Sequence, residues 1–211
     1  SDLLPGVGHA LLREDFAQIR EDALSRRARL APVERVLISF GGVDAANHAL
    51  AALRVLSETP SPQLAIDLVI GPAAVNGDAL ERQADDHPHR CAIVRAASDM
   101  ARRMALADVA FGACGFTAWE RCCLGLSTIA VVAADNQRDA AAALMRTGAA
   151  CVVKPEEDLG AALAAHWARL RGDADLRRRM SQAAAAACDG GGARRVVDAM
   201  SRRLPEGVSD A

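Results

Sequence analysis

The sequence contains no tyrosine, only two tryptophans and four phenylalanines among its 211 residues, and no long apolar run. A membrane-spanning helix needs about 20 consecutive apolar residues, so we expect no membrane span. The first five residues lack the basic start and apolar core of a secretory signal peptide, and we expect a cytoplasmic protein. The length predicts one large domain or two small ones, with room for a real core.

An excess of positive charge is also missing. The chain has 25 lysines and arginines against 27 aspartates and glutamates, a formal net charge of −2. Nucleic-acid-binding domains usually carry a clustered basic surface, so no nucleic-acid partner is expected. The arginine runs at 26–27 and 177–179 are interpreted as solvated helix faces.

Metal and redox motifs are absent from the sequence as well. The six cysteines show no C-x-x-C spacing, and the adjacent pair Cys122 and Cys123 would point about 100° apart on a helix. We interpret all six as reduced thiols. The stretch His87-Pro88-His89 is interpreted as a solvated turn, and no Ser-His-Asp or Cys-His arrangement is visible. The sequence therefore predicts no metal site, no cofactor and no catalytic residue in this chain.

Short apolar segments alternate with helical ones along the chain. Such alternation predicts a Rossmann-like α/β fold, with a parallel sheet of about six strands and helices on both faces. The predicted strands are residues 35–40, 64–70, 91–94, 109–111, 128–132 and 150–153. The predicted helices are residues 13–30, 47–58, 74–85, 98–106 with Ser98 as its cap, 117–124, 138–147, 156–170, 174–188 and 193–204.

Two ends of the chain are expected to lie outside this domain. Residues 1–12 contain the turn sequence Pro5-Gly6-Val7-Gly8 and are predicted to be a linker. Residues 13–204 form the predicted domain, and residues 205–211 a frayed tail.

The segment 107–137 carries the strongest functional signal. It is predicted as strand, glycine turn, helix, strand and polar loop, and ligands of open α/β sheets bind at the carboxyl ends of strands. Gly115 and Thr117 could bind a phosphate, and Glu120 could accept two ribose hydroxyls. Asn136 and Gln137 suit sugar hydroxyls or acetamido groups. The alternatives are a glutamate favoured by the helix dipole and a helix cap at Asn136.

A second glycine turn follows the first predicted strand. Gly41 and Gly42 would let the backbone approach a ligand closely, although a plain strand–helix turn is the alternative. The turn is not G-x-G-x-x-G, and no acidic residue ends the second strand to hold a ribose, so NAD binding is not expected. Apart from His48, no histidine is near these motifs. The segment is equipped for binding rather than for acid–base chemistry.

The order of these motifs resembles one enzyme family. FGG-x-D, then D-M, then AD-x-A-x-G-A-x-G-x-T-x-WE-RCCLGL, then DNQ and GAA resembles the UDP-2,4-diacetamido-2,4,6-trideoxy-β-L-altropyranose hydrolases of pseudaminic acid biosynthesis. That family is similar in fold to the GT-B glycosyltransferases, and residues 9–16 resemble its interdomain segment. The resemblance covers most of the chain and implies the C-terminal, nucleotide-binding half of a two-domain enzyme.

The resemblance also implies residue roles and partners. UDP or a UDP-sugar would be the ligand, and an N-terminal domain in cis or in trans would supply the catalytic histidine. The fragment alone is therefore expected to be inactive as a hydrolase. The implied nucleotide-binding residues are Gly41, Gly42, Val94, Met100, Gly115, Thr117 and Glu120, with Asn136 and Gln137 facing the sugar.

Two other functions stay open from the sequence. The same nucleotide site would serve the donor domain of a UDP-sugar glycosyltransferase. A non-catalytic nucleotide-sugar-binding domain is the third possibility. It is favoured by Cys114 and Phe116, which stand where the family usually has glycine and serine.

Overall fold

The computed structural model describes residues 6–29, 31–59 and 63–202. Its sheet has six parallel strands in the order β3-β2-β1-β4-β5-β6. The strands are β1 (Arg35–Ser39), β2 (Ala65–Ile70), β3 (Arg90–Arg95), β4 (Val109–Ala113), β5 (Ser127–Val131) and β6 (Cys151–Val153). This order is that of a Rossmann-like sheet, and the predicted fold class is confirmed.

Helices cover both faces of the sheet. They are α1 (Glu14–Gln18), α2 (Arg20–Arg27), α3 (His48–Ser57), α4 (Gly77–Asp85), α5 (Met100–Leu106), α6 (Thr117–Cys123), α7 (Arg138–Thr147), α8 (Leu159–Gly172), α9 (Ala174–Ala187) and α10 (Gly192–Ser201). Two 3-10 turns, Val7–His9 and Asp135–Gln137, precede α1 and α7.

Side chains that alternate along each strand belong to two separate core clusters, one on each face of the sheet. Val36 and Ile38 of β1 point to one face, where α3, α4 and α8 pack. Leu37 points to the other face, where α1, α2, α5, α6 and α7 supply the cluster. Because residue i and i+2 of a strand share a face, this short apolar strand is buried on both sides.

Several helix boundaries differ from the predictions. The helix expected over 13–30 is two helices separated at Ile19, and Leu30 lies outside the described residues. Ser98 is not a helix cap, since α5 begins after Asp99. The helix expected from Glu156 begins at Leu159, because the Asp158 carboxylate accepts a hydrogen bond from the amide of Ala161 and caps it.

Residues 6–12, predicted to be linker, pack against the domain. Leu12 is buried in the second core cluster, and the Gly8 carbonyl accepts a hydrogen bond from Arg195 of α10. A side chain at Gly192 would collide with the Ala10 backbone, so only glycine allows this approach. Residues 1–5 and the predicted tail 205–211 lie outside the described residues.

The predicted solvated turn at His87-Pro88-His89 is wrong. Both imidazoles are buried, and His87 lies 3.0 Å from the carbonyl oxygen of Leu53. The ring of His89 accepts a hydrogen bond from the amide of Leu64. Burial lowers the pKa of His89, and the positive charge of His87, when it is protonated, adds to this effect. The two histidines are therefore core residues that contact α3 and the segment before β2.

Candidate functional site

The candidate site lies at the carboxyl edge of the sheet, where β1 and β4 end side by side. The register pairs Ser39 with Gly112, so the turns that follow these two strands are neighbours. Gly41 and Gly42 follow β1 with exposed backbone, and Gly41 has a φ of 88°. Glycine is required here because L side chains rarely adopt that conformation.

The turn after β1 packs tightly on the end of β2. A side chain at Gly71 would collide with the backbone of Gly41 and Gly42. The Asp44 carboxylate accepts hydrogen bonds from the amides of His48 and Ala49, at 3.0 and 2.9 Å, and so caps α3. The position of the glycine pair is thus fixed from both sides.

Backbone strain is concentrated at this edge. In the described part of the chain, the non-glycine residues with positive φ are Asp44, Asn47 and Ala96. Asp44 and Asn47 lie between β1 and α3, and Ala96 directly follows β3. Such conformations persist only where the surrounding structure enforces them, and they cluster at functional sites.

The turn after β4 lies beside the loop that follows β5. A side chain at Gly115 would lie 3.5 Å from Nε2 of Gln137. The Gln137 carboxamide oxygen accepts a hydrogen bond from the Ala133 amide at 3.0 Å, which holds its nitrogen over the turn. The structure therefore brings together Gly115 and Gln137. Asn136 is exposed on the 3-10 turn before α7 and is not the cap residue of that helix.

Beneath this turn lies a buried arginine, Arg121 of α6. Its guanidinium donates to the carbonyl of Ala113 at 2.6 Å and to the hydroxyl of Thr117 at 3.2 Å. A side chain at Gly112 would come within 2.5 Å of the guanidinium, so the glycine leaves the space that the arginine fills. Sequence reasoning assigned no role to Arg121. The available signal was its i+4 spacing from Thr117, which puts both on one helix face.

Glu120 is half-buried on α6, toward the segment that contains Arg13 and Asp15. Burial raises the pKa of its carboxyl group. The positive charges of Arg13 and Arg121 oppose this shift, and Asp15 adds to it. α1 packs against α6, which explains why residues so distant in sequence meet. The carboxylate is thus desolvated at the start of a helix that follows a glycine turn.

Val94 and Met100 flank the loop after β3. Val94 belongs to β3 and Met100 is the first residue of α5. Both are half-buried against the second core cluster. The loop between these two residues, which the resemblance assigns to nucleotide binding, therefore lies at the same edge of the sheet as the two glycine turns.

Three apolar side chains are exposed on loops at this edge: Val43, Val75 and Phe116. Val43 and Val75 are joined by a backbone hydrogen bond of 3.3 Å. Phe116, 53% exposed, directly precedes α6. This rim is less polar than a site built only for phosphate would be.

The cysteine thiols are free, and four of the six are buried. Burial raises the pKa of Cys114 to about 11 and that of Cys122 to about 12, while Arg121 opposes both shifts. A thiol with so high a pKa is a poor nucleophile and metal ligand. Cys122 and Cys123 are core residues.

Within residues 6–29, 31–59 and 63–202, no three histidine, cysteine or acidic side chains group closely enough to hold a metal ion. In the same ranges, no helix combines the length and the apolar character that crossing a membrane requires.

Solved structures with the same fold are numerous. MurG of Acinetobacter baumannii has a TM-score of 0.64 at 20% identity, with 87% of this chain and 53% of MurG covered. WaaG, a glycosyltransferase involved in lipopolysaccharide biosynthesis, has a TM-score of 0.64 at 14% identity, with 96% and 55% covered. UDP-GlcNAc 2-epimerase from Neisseria meningitidis has a TM-score of 0.60 at 11% identity, with 90% and 51% covered.

These likenesses show the fold, a Rossmann-like domain of the GT-B type. The chain spans about half the length of each of these structures. No protein-family model and no curated protein matches the sequence.

Proposed function

We propose that this chain is the UDP-sugar-binding domain of a nucleotide-sugar enzyme. The observation that carries this proposal is the convergence of two glycine turns at one sheet edge. The turn 41–42 and the turn 114–115 follow the neighbouring strands β1 and β4, and Gln137 lies over the second turn. Ligands of open α/β sheets bind at such edges, where main-chain amides face the ligand.

The residue roles follow the resemblance described above. Gly41, Gly42, Gly115 and Thr117 contact the diphosphate. The backbone between Val94 and Met100 holds uracil, and Glu120 accepts hydrogen bonds from the ribose. Asn136 and Gln137 face the sugar. The desolvated carboxyl group of Glu120 supports its role, since a hydrogen bond made in a water-poor site is stronger than one made in bulk water.

The reaction we propose is hydrolytic. Water attacks the anomeric carbon of a diacetamido-trideoxyhexose, the bond between that carbon and the phosphate oxygen breaks, and UDP leaves. The catalytic base belongs to an N-terminal domain, and this chain binds the leaving UDP and orients the sugar. The solved structures with this fold include glycosyltransferases and an epimerase, so a glycosyltransferase donor domain is the competing function.

Calorimetric titration with UDP tests the binding role. We expect saturable binding with a dissociation constant below about 1 mM and weaker binding of ADP. The absence of binding at millimolar UDP would remove both the hydrolase and the glycosyltransferase.

Product analysis separates those two enzymes. The chain is supplied with an N-terminal half and a UDP-diacetamido-trideoxyhexose. Release of UDP together with the free sugar, without an added acceptor, supports the hydrolase. Release that depends on an acceptor and yields a glycoside supports the transferase instead.

A further inference from the structure

The buried Arg121 lacks an acidic partner. It is 2% exposed, and two of its nitrogens donate to Ala113 and Thr117. Its Nε has no hydrogen-bond partner, and in the described part of the chain no carboxylate pairs with it. An arginine keeps its proton at neutral pH even in a protein interior. The domain therefore holds a positive charge that its own residues do not neutralise.

This charge is placed at the candidate site. The guanidinium lies against the bare backbone of Gly112, beside the carbonyl of Ser39, at the ends of the two central strands. Burial lowers the pKa of Arg121, and the opposing effects of Cys122, Cys114 and the Glu120 carboxylate are smaller. Burying an unpaired cation is costly, so an anion bound close by would be strongly favoured.

The hydrogen bond from Arg121 orients the hydroxyl group of Thr117. Because the guanidinium donates to the Thr117 oxygen, the hydroxyl proton remains available for another acceptor. Thr117 is the first residue of α6 and follows the turn at Gly115. A phosphate oxygen at this turn would accept a hydrogen bond from that hydroxyl.

We propose that Arg121 is a positioning residue for a diphosphate, which fixes the Thr117 hydroxyl as a donor and supplies the positive charge that the bound diphosphate neutralises. This inference rests on the proposed nucleotide-sugar function and names the residue that makes the site select a charged ligand. Arg121 would not increase the affinity for a nucleoside that lacks the diphosphate.

The test compares ligands that differ only in charge. Calorimetry measures UDP, uridine and inorganic pyrophosphate binding to the wild type, Arg121→Met, Arg121→Lys and Thr117→Val. We expect Arg121→Met to weaken UDP binding about 10- to 100-fold and to leave uridine binding within about twofold. Arg121→Lys should keep part of the UDP affinity, and Thr117→Val should lose affinity for UDP but not for uridine.

Arg27 provides the matched control, since it is a half-buried arginine whose pKa is also lowered by burial. Arg27→Met should reduce the melting temperature and leave the ratio of UDP to uridine affinity unchanged. If Arg121 has only a structural role, Arg121→Met will also lower the melting temperature and leave the ratio of UDP to uridine affinity unchanged. That result overturns the proposal. If Arg121→Met fails to fold, Arg121→Lys and Thr117→Val carry the same comparison.

The outcomes separate this proposal from the proposed function. Wild-type binding of UDP that is equal in Arg121→Met supports the function and overturns the role of Arg121. Pyrophosphate binding that depends on Arg121, without UDP binding, supports the role and overturns the function. Failure of the wild type to bind either probe overturns both.

Discussion

A half-buried arginine, Arg27, and a buried one, Arg121, lie at opposite ends of the sheet, and their surroundings differ. At the amino end, Arg27 donates to four carbonyl oxygens, those of Ala23, Met104, Ala105 and Ala107. At the carboxyl end, Arg121 donates to one carbonyl and one hydroxyl. The Nε of each arginine has no hydrogen-bond partner. Burial lowers the pKa of both, that of Arg27 to about 10.

The two arginines differ in whether the fold alone explains their positions. Arg27 is explained by the fold, because its donors satisfy the last carbonyls of α5 and join that helix to α2. Asp108 adds a negative charge close to it. Arg121 donates to fewer protein groups than Arg27, and within the described residues neither arginine forms an ion pair. The fold therefore accounts less fully for the charge of Arg121. The arginine whose charge the fold explains less well lies where the glycine turns meet.

The largest stability effect is expected at the amino end. Arg27→Met leaves buried carbonyls without donors and should lower the free energy of unfolding by about 2–4 kcal/mol. Urea denaturation measures this change, and UDP affinity should stay unchanged. A loss smaller than that of Arg121→Met would contradict the contrast between the two arginines.

A substitution at Gly112 tests the packing of Arg121. The added methyl of Gly112→Ala would lie 2.5 Å from the guanidinium and 2.8 Å from the Ser39 carbonyl oxygen, so one of them must move. We expect a loss of about 1–3 kcal/mol in the free energy of unfolding. Gly172→Ala, where nothing lies within 4 Å, is the control and should change stability by less than about 1 kcal/mol. Equal effects at both positions would refute the packing.

Glu120→Ala tests the ribose contact at the carboxyl end. Losing its hydrogen bonds should weaken UDP binding by about 1–3 kcal/mol, measured by calorimetry. Asp175→Ala removes a carboxylate that pairs with Arg178 on α9 and should leave the affinity unchanged. An unchanged affinity in Glu120→Ala would exclude the ribose role.

The smallest effect concerns pH. Because burial raises the pKa of Glu120 in the folded protein, the folded state binds the proton more tightly than the unfolded state. Stability from this group is therefore present below the unfolded pKa and is lost as pH rises through the folded pKa. Glu120→Gln should raise the free energy of unfolding at pH 7 by less than about 1 kcal/mol, and the gain should vanish below about pH 4. A gain that persists in acid would contradict the assignment.

Much of the fold could be predicted from the sequence. The strands stand out because apolar runs such as 35–40 are bounded by glycine turns, and their alternation with helices fixes a parallel sheet. The first residues of the helices were predicted less accurately than the strands. Ser98 has the right chemistry for a cap, yet α5 begins two residues later, since local propensity does not reveal tertiary packing.

The site was only partly visible in the sequence. Glycine turns and the Asn136–Gln137 loop follow strands, so their meeting at one edge follows from topology. The burial of charged and polar side chains does not follow from topology. The sequence patterns treated Arg27 as a solvated residue and His87 as part of a solvated turn, and they gave Arg121 no role. Whether a long polar side chain turns inward depends on carbonyls and glycines distant in sequence, such as Gly112.

The most direct test is a map of amide chemical-shift changes on titration with UDP. We predict changes at Gly41, Gly42, Gly115 and Thr117, at the carboxyl end, and none around Arg27 and Ser127 at the amino end. Saturable changes confined to the carboxyl end would support the account. Changes confined to the amino end, or none at millimolar UDP, would contradict it.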